Sequence, residues 1–335
     1  MPQFLRKLLS GQKTVIFFVL IVLVMTFTLI NPVFLSEANI FSLIKTLSFY
    51  GLVAVGETLI IIGGDIDISV GSTAGFGAVF STFLMMEYNC FGLLGTSNEW
   101  IGVLLCMLIT IIVCSTIGFI NAGLVVYLRL PPFIATIATL YAVRGAIMMV
   151  TNGNPIYPLP EFFMDGIGQF EIPLSKLGGI SLPFIFFILF VLLFEFLLHR
   201  TTFGRNIYAT GSNREVAKLS GINTNKVRSM NFVITSMLAG LSGMFVAAFT
   251  RQGYPPIGQG WELQIIAATA IGGIGLTGGS GSVVGTLIGI LIMSVLGNGL
   301  VIMGINTFVQ SMVIGVVILI AVYLDTLRSK RKVLA

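Results

Sequence analysis

Residues 199–228 decide the fold of this chain: HRTTFGRNIYATGSNREVAKLSGINTNKVR, the longest polar stretch in the sequence. The stretch holds six of the 18 basic residues and a single acid, Glu215. Apolar runs at 178–198 and 229–248 flank it on either side. A basic segment between two apolar runs is typical of a short cytoplasmic loop, because cytoplasmic loops of membrane proteins are enriched in Lys and Arg. The stretch therefore sets the orientation of every other segment.

The composition indicates an all-α, polytopic membrane protein. Of 335 residues, 56% are hydrophobic and 9% charged, and the mean hydropathy is +1.02. This lies outside the range of soluble domains, so we interpret 1–335 as one transmembrane domain. The net charge of +5 lies at the ends of apolar runs, which argues for membrane orientation and against nucleic acid as a partner. The three cysteines lack metal-site or disulfide spacing and read as packing residues.

The apolar pattern predicts about ten transmembrane helices, each needing about 20 residues. The predicted spans are 14–31, 41–62, 69–87, 100–127, 133–150, 178–198, 229–249, 261–275, 282–303 and 307–324. With a cytoplasmic N-terminus, fourteen of the 18 basic residues fall on the inner side. An even number of spans also places both termini in the cytoplasm.

The longest outer segment, 151–177, contains four prolines and three acids. Proline density of this kind favours a structured cap or short interfacial helices over a spanning element. The segment is either a docking rim for an external partner or a plain connector.

A weak internal repeat links two glycine-bearing stretches, IGGDIDISVGS at 62–72 and IGGIGLTGGSG at 271–281. Each leads directly into a span. Glycine interruptions at matching places in two halves are typical of transporters built by duplication. Duplicated halves are one interpretation, and chance repetition is the other, because the chain has 39 glycines.

The sequence argues against an enzyme. His199 is the one histidine, so neither a histidine metal cluster nor a His-based catalytic triad is available. No segment matches the P-loop pattern, so the chain has no ATPase motif of its own. An intramembrane enzyme would need a nucleophile–base pair or a metal set, and we expect neither catalytic residues, metal nor cofactor in this chain.

Ionisable groups within the spans mark functional candidates, because burying charge in hydrocarbon is costly. Asp65 and Asp67 fall where the second span breaks at Gly63 and Gly64, next to Ser69. These side chains either cap the third helix or line a polar path, and the two roles are compatible. Arg144 is expected to pair with an acid such as Glu57 or Glu262.

Within the polar stretch, residues 213–220 predict a short amphipathic helix. Asn213 would be its N-cap and Gly221 its C-terminal stop. Val216 and Leu219, three residues apart, would share one face. Such a helix is either a docking element for another subunit or a connector on the lipid surface.

Several motifs, taken together, resemble the permeases of sugar ABC transporters of the ribose, xylose, galactose and allose type, within the branched-chain amino acid/ribose-type permease superfamily. They are IDISVGS (66–72), PPFIAT (131–136), RTTFGRNIYATGSN (200–213), GQGWEL (258–263) and GNGL (297–300). They occur in family order along nearly the whole chain. One departure is that Asp65 stands where the family usually has a second glycine before the Ile-Asp pair.

The resemblance implies a multi-pass permease of the bacterial cytoplasmic (inner) membrane that imports a monosaccharide. Its expected partners are a separate ABC ATPase subunit that binds ATP, a periplasmic or lipid-anchored sugar-binding protein, and a second permease copy, identical or a paralogue. The ATPase would meet a coupling loop formed by Phe203, Gly204, Arg205, Gly211, Asn213, Arg214, Glu215, Ala217, Ser220 and Gly221.

A sugar path needs neutral polar groups and a few aromatic rings. We predict that Asp67, Ser69, Asn121, Phe133, Thr136, Thr139 and Asn298 line it, with ribose as the best substrate guess. The alternative function is an ion-coupled secondary transporter of a small polar solute, in which Glu57, Asp65 or Asp67 titrates.

Overall fold

The computed structural model describes residues 12–173 and 179–333 of the chain, and twelve helices and one small sheet account for most of these residues. The helices are α1 Gln12–Ile30, α2 Glu37–Ile62, α3 Val70–Glu87, α4 Glu99–Ala122, α5 Pro132–Thr151, α6 Leu182–Arg200, α7 Thr202–Ser212, α8 Arg214–Leu219, α9 Thr224–Thr250, α10 Trp261–Ile271, α11 Val283–Ile302 and α12 Thr307–Val333. The strands are β1 Glu171–Pro173 and β2 Gly179–Ser181.

The predicted all-α fold with several membrane-spanning helices is confirmed, whereas the number of ten spans stays a prediction. A helix occupies each of the ten predicted span positions. In the described part of the chain, six helices are long and apolar enough to cross a membrane: Glu37–Ile62, Glu99–Tyr127, Pro132–Thr151, Leu182–Arg200, Thr224–Thr250 and Val283–Ile302. Three shorter apolar helices are Ile16–Ile30, Trp261–Ile271 and Phe308–Ile320. Arg6 and Lys7, two of the basic residues assigned to the inner side, lie outside the described part of the chain.

The long helix α9 forms the centre of the bundle and packs along α2, α3 and α4. Glycines permit this close approach, because a Cβ atom at Gly77 would overlap the backbone of Gly240. In the same way, Gly243 lies directly against the Ala74 carbonyl. Small residues at helix contacts are the usual packing device within membranes.

We call the end of the bundle that holds α7 and α8 the loop end, and the opposite end the cap end. At the cap end, β1 pairs with β2 in antiparallel register, and Lys45 of α2 forms a 2.6 Å ion pair with Glu171 of β1. A wide helical turn at Phe162–Gly168 packs against α9. The structured cap is thus observed, but its strands were not predicted, and α6 begins at Leu182 because residues 179–181 belong to β2.

The two glycine-bearing breaks have the same backbone geometry. After α2, the Gly64 amide donates to the Ile61 carbonyl and the Asp65 amide to that of Ile60. After α10, Gly273 and Ile274 make the equivalent bonds to Ala270 and Thr269. Gly64 and Gly273 have φ values of +82° and +89°, as a left-handed helix stop requires. The repeat seen in the sequence therefore corresponds to a repeated local structure.

Candidate functional site: the coupling segment and the break after α2

The polar stretch folds into two short helices. Thr201 caps α7 by accepting a bond from the Gly204 amide, and Gly204 packs against the end of α6 at Leu198. The predicted helix is confirmed as α8, with the Asn213 side chain accepting from the Val216 amide at 3.1 Å. Gly221, at φ +84°, follows its end. The helix α7, with buried Ile207 and exposed Arg205, was not predicted.

The outward face of α8 is apolar. Val216 and Leu219 are 57% and 87% exposed, whereas Ala217 on the opposite face is buried. Glu215 is exposed, and the Ser220 hydroxyl donates to the Val216 carbonyl at the end of the helix. Exposing two neighbouring aliphatic side chains to water is unfavourable, so this face is suited to binding the surface of another protein.

A cleft of about 940 Å³ lies beside α8, between it and the segment 125–132. Four basic side chains and one acid line it: Arg129, Arg214, Lys218, Arg228 and Glu215. Burial lowers the pKa of the Arg214 guanidinium, and the Asp65 carboxylate opposes that shift. The cleft is therefore electropositive and complementary to an acidic surface.

The end of α7 touches both glycine breaks through its backbone. A Cβ atom at Gly211 would overlap the Ile62 carbonyl and the Gly279 amide. The Gly279 amide in turn donates to the Ile62 carbonyl at 2.8 Å, and Gly278 lies against Gly64 and Gly211. We call this contact of Gly63–Asp65, Gly211 and Gly278–Gly279 the loop-end junction.

Tyr208 adds a side-chain link from α7 to the same region. Its hydroxyl donates to the Gly281 carbonyl at 2.8 Å. Burial raises the pKa of Tyr208 to about 12, and the nearby Glu195 carboxylate acts in the same direction. The hydroxyl therefore stays a hydrogen-bond donor at physiological pH.

Asp65 joins the α2 break to the polar stretch by a buried ion pair. Its carboxylate accepts from Arg228 Nε at 2.6 Å and from Nη2 at 2.7 Å. The exposed fractions of Asp65 and Arg228 are 4% and 6%. Arg214 of α8 makes a longer contact of 3.4 Å with the same carboxylate. The carboxylate that departs from the family pattern thus ties α8 and α9 to the end of α2.

Four of the predicted path residues meet in a buried cluster one step beyond the break: Asp67, Ser69, Asn121 and Thr136. The Ser69 hydroxyl and amide both donate to Asp67 Oδ1, at 2.6 and 2.8 Å. Asn121 Nδ2 donates to Asp67 Oδ2 at 3.2 Å and to the Ser69 hydroxyl at 2.8 Å.

Two further contacts hold this cluster in place. Thr136 accepts from the Ile68 amide, and Glu57 of α2 accepts from the Asp67 amide, both at 3.1 Å. Glu57 Oε2 and Asn121 Oδ1 are buried without a hydrogen-bond partner among the described residues. The cluster fixes the path of the chain between α2 and α3.

The remaining predicted path residues lie apart from this cluster. Phe133 is 58% exposed at the start of α5, and the Thr139 hydroxyl bonds within its own helix to Ala135. Asn298 lies near the cap end, where its amide exchanges two hydrogen bonds with Asn39, at 2.8 and 2.9 Å.

Arg144 binds backbone rather than forming the close ion pair that the sequence suggested. Its Nη1 donates to the carbonyls of Pro255 and Ile257, at 3.1 and 2.8 Å, and Nη2 to that of Gly71 at 3.4 Å. Of the two acids that the sequence offered, Glu262 is near enough to act on it electrostatically, beyond ion-pair distance.

The pairing of Arg228 with Asp65 was not predicted from the sequence, nor was the contact of Gly278 and Gly279, in the glycine-bearing stretch 271–281, with Gly64 and Gly211. The sequence did hold a signal for the ion pair. Asp65 is a carboxylate where the family usually has glycine, and the stretch 199–228 holds six of the 18 basic residues, which makes it a candidate source of a partner. The backbone contact of three glycine segments has no such signal, since glycine occurs throughout the chain.

Comparison with known proteins identifies close relatives over nearly the full length. Residues 39–322 match the family described as the permease component of branched-chain amino acid transport systems. The ribose import permease protein RbsC of Bacillus subtilis (strain 168) is 36% identical over 95% of this chain and 94% of its own. The RbsC of Escherichia coli (strain K12) is 35% identical, over 96% and 95%.

A more distant relative has a different sugar in its name. The xylose transport system permease protein XylH of Escherichia coli (strain K12) is 29% identical, over 97% of this chain and 94% of that protein. No solved structure matches the chain significantly.

Proposed function

We propose that this chain, which belongs to the branched-chain amino acid transport permease family, is the membrane subunit of an ATP-driven importer and passes a monosaccharide inward. It is a multi-pass protein of the bacterial inner membrane. Its sequence contains no P-loop, so ATP is bound and hydrolysed by a separate ATPase subunit. Ribose is the first substrate to test, because the relatives at 35–36% identity are named ribose import permeases.

The ATPase docks on α8 and transmits its movement through the loop-end junction. The exposed pair Val216 and Leu219 supplies the apolar centre of that interface, and the basic cleft supplies its polar rim. Gly211 and the Asp65–Arg228 pair connect this surface directly to both helix breaks. A displacement of α7 and α8 therefore moves the ends of α2 and α10 together.

The remaining topology follows from this assignment. We further infer that α8 faces the cytoplasm and that the even number of predicted spans brings both termini to the same side. The structured cap, formed by residues 152–173 and 179–181, then faces outward, where a periplasmic or lipid-anchored sugar-binding protein delivers the substrate. A second permease copy, identical or a paralogue, completes the pathway.

Reconstitution tests this function. The permease, its co-purified ATPase and its binding protein are placed in proteoliposomes, and uptake of radiolabelled ribose and xylose is measured with and without ATP. We expect uptake that requires ATP and all three components. Uptake by the permease alone, following an imposed proton or sodium gradient, would instead establish the ion-coupled alternative.

A further inference from the structure

A groove at the cap end, formed by α2, α10, α11 and α12, has the chemistry of a neutral sugar site. Its volume is about 340 Å³, within the range of about 300–1,000 Å³ typical of small-molecule sites. Its polar lining includes Ser42, Thr46, Tyr50, Gln264, Ser294 and Asn298. None of the described side chains that line it is charged.

The groove reaches from the cap end to mid-depth of the bundle. Ser42, Thr46 and Tyr50 follow one stripe of α2 at intervals of four residues, so Tyr50 lies about 20 Å from the helix start at Glu37. At that depth its ring contacts Trp261, with centroids 4.5 Å apart. Trp261 begins α10, an 11-residue helix that spans only about half of a bilayer.

Several polar groups in the groove have unused hydrogen-bonding capacity. The side chains of Ser42, Gln264 and Ser294 have no hydrogen-bond partner within the described part of the chain. Polar groups at membrane depth without protein partners are costly unless they meet water or a ligand. A monosaccharide presents hydroxyls that would satisfy them, together with C–H faces that suit the ring of Tyr50.

The groove closes toward the loop end where α10 and α11 come into backbone contact. A Cβ atom at Gly289 would overlap the Ala268 carbonyl, and one at Gly285 the Gly272 carbonyl. Thr58 and Thr286 bond to each other at 2.7 Å next to this contact. The contact ends at the Gly272–Gly273 break, beside the loop-end junction, so a movement there can part the two helices.

From these observations we propose that the cap-end groove binds the sugar within the permease and selects neutral polyols over amino acids. An amino acid carries a carboxylate and an ammonium group, and both would be left without a charged partner among these residues. This inference rests on the proposed import function. It adds a site in the permease itself, separate from the buried Asp67 cluster.

Two substitutions test the site in the complete importer. Gln264→Leu and Ser294→Ala each remove a group that holds no other part of the described structure. Each should lower the uptake rate of ribose or xylose at subsaturating concentration about fivefold, the factor that one neutral hydrogen bond contributes. Ser97→Ala, in the exposed outer turn, is the matched control and should leave uptake unchanged.

Thiol labelling gives a readout that does not depend on the transport rate. Native Cys90, Cys106 and Cys114 are fully buried, whereas Ser294 is 9% exposed and lines the groove, so a membrane-impermeant reagent should label Ser294→Cys selectively. Ribose should slow that labelling during turnover, leucine should not, and Ser97→Cys should be indifferent to both.

The outcomes separate the two proposals. If the wild-type importer takes up sugar but both groove variants behave as wild type and Ser294→Cys is not protected, the groove inference is overturned and the function stands. If leucine protects Ser294→Cys as well as ribose does, the selectivity claim is overturned. If the wild type imports neither sugar, the proposed function fails, and the groove inference fails with it.

Discussion

Replacing Asp65 with Asn should destabilise this permease more than neutralising either of its arginine partners, Arg228 or Arg214. Asn keeps the shape of the carboxylate but leaves Arg228 buried, with one acceptor oxygen in place of two. Removing one partner of a buried ion pair costs about 3–5 kcal/mol, which lowers the folding equilibrium constant more than a hundredfold. Arg214 offers no compensation, because it is also a cation.

Replacing the other partner of the ion pair, Arg228, is expected to destabilise the permease less. In Arg228→Gln the Asp65 carboxylate retains Arg214, at 3.4 Å, as a partner that can move closer. Arg214→Gln should cost at most about 1 kcal/mol, because that side chain is 41% exposed and its ion pair is screened by solvent. The predicted order of destabilisation is therefore Asp65→Asn, then Arg228→Gln, then Arg214→Gln.

The assay is denaturant unfolding of the purified permease in mixed micelles, combined with a double-mutant cycle. Asp65→Asn with Arg228→Gln should recover more than half of the loss caused by Asp65→Asn alone, because no buried charge remains unpaired. The reasoning would be refuted if Asp65→Asn changed the free energy of unfolding by less than about 0.5 kcal/mol, or if the double variant were as unstable as the sum of the two single variants.

Other predictions concern the coupling segment. Val216→Ser with Leu219→Ser should abolish co-purification of the ATPase without changing the thermal stability of the isolated permease, because both side chains are exposed; undiminished association would exclude α8 as the docking helix. Gly211→Ala should lower thermal stability and ATP-driven uptake, since its Cβ would overlap backbone atoms, whereas Gly145→Ala, in open space, should do neither. Tyr208→Phe should reduce the free energy of unfolding by about 1 kcal/mol, for one lost hydrogen bond; an unchanged unfolding curve would show that the bond contributes nothing.

The features that could be predicted from sequence are those set by hydrophobicity and local chemistry. Apolar runs of about 20 residues placed the long helices, since the bilayer fixes their length. Asn213 and Gly221 gave the bounds of α8, because capping and left-handed glycine stops depend on neighbouring residues alone. The break after α2 could be predicted for the same reason, because Gly63 and Gly64 are a local signal that a helix ends.

The features that escaped prediction depend on contacts between distant segments. Arg228 meets Asp65 across 163 residues of chain, and the three glycine segments of the loop-end junction meet only in the folded bundle. Helix α7 was missed because its polar composition hides the buried Ile207. The groove residues Gln264 and Ser294 carry no charge and form no motif, so nothing in the sequence distinguished them.

For the candidate sugar path, the sequence identified suitable residue types but not where the side chains lie. Asn121 of α4 meets Asp67 and Ser69, which lie together between α2 and α3, although more than 50 residues of chain separate the two parts. Asn298 belongs instead to the cap-end groove, where it pairs with Asn39. Residue type indicated which side chains are suited to a polar path, but their positions depend on how the helices pack.

The most direct test of ATP-driven sugar import is ribose uptake into proteoliposomes that contain the permease, its ATPase and its binding protein. Uptake should cease when ATP is replaced by a non-hydrolysable analogue, and it should persist when proton and sodium gradients are dissipated by ionophores. Uptake that persists without hydrolysable ATP and disappears with the ion gradient would contradict the account.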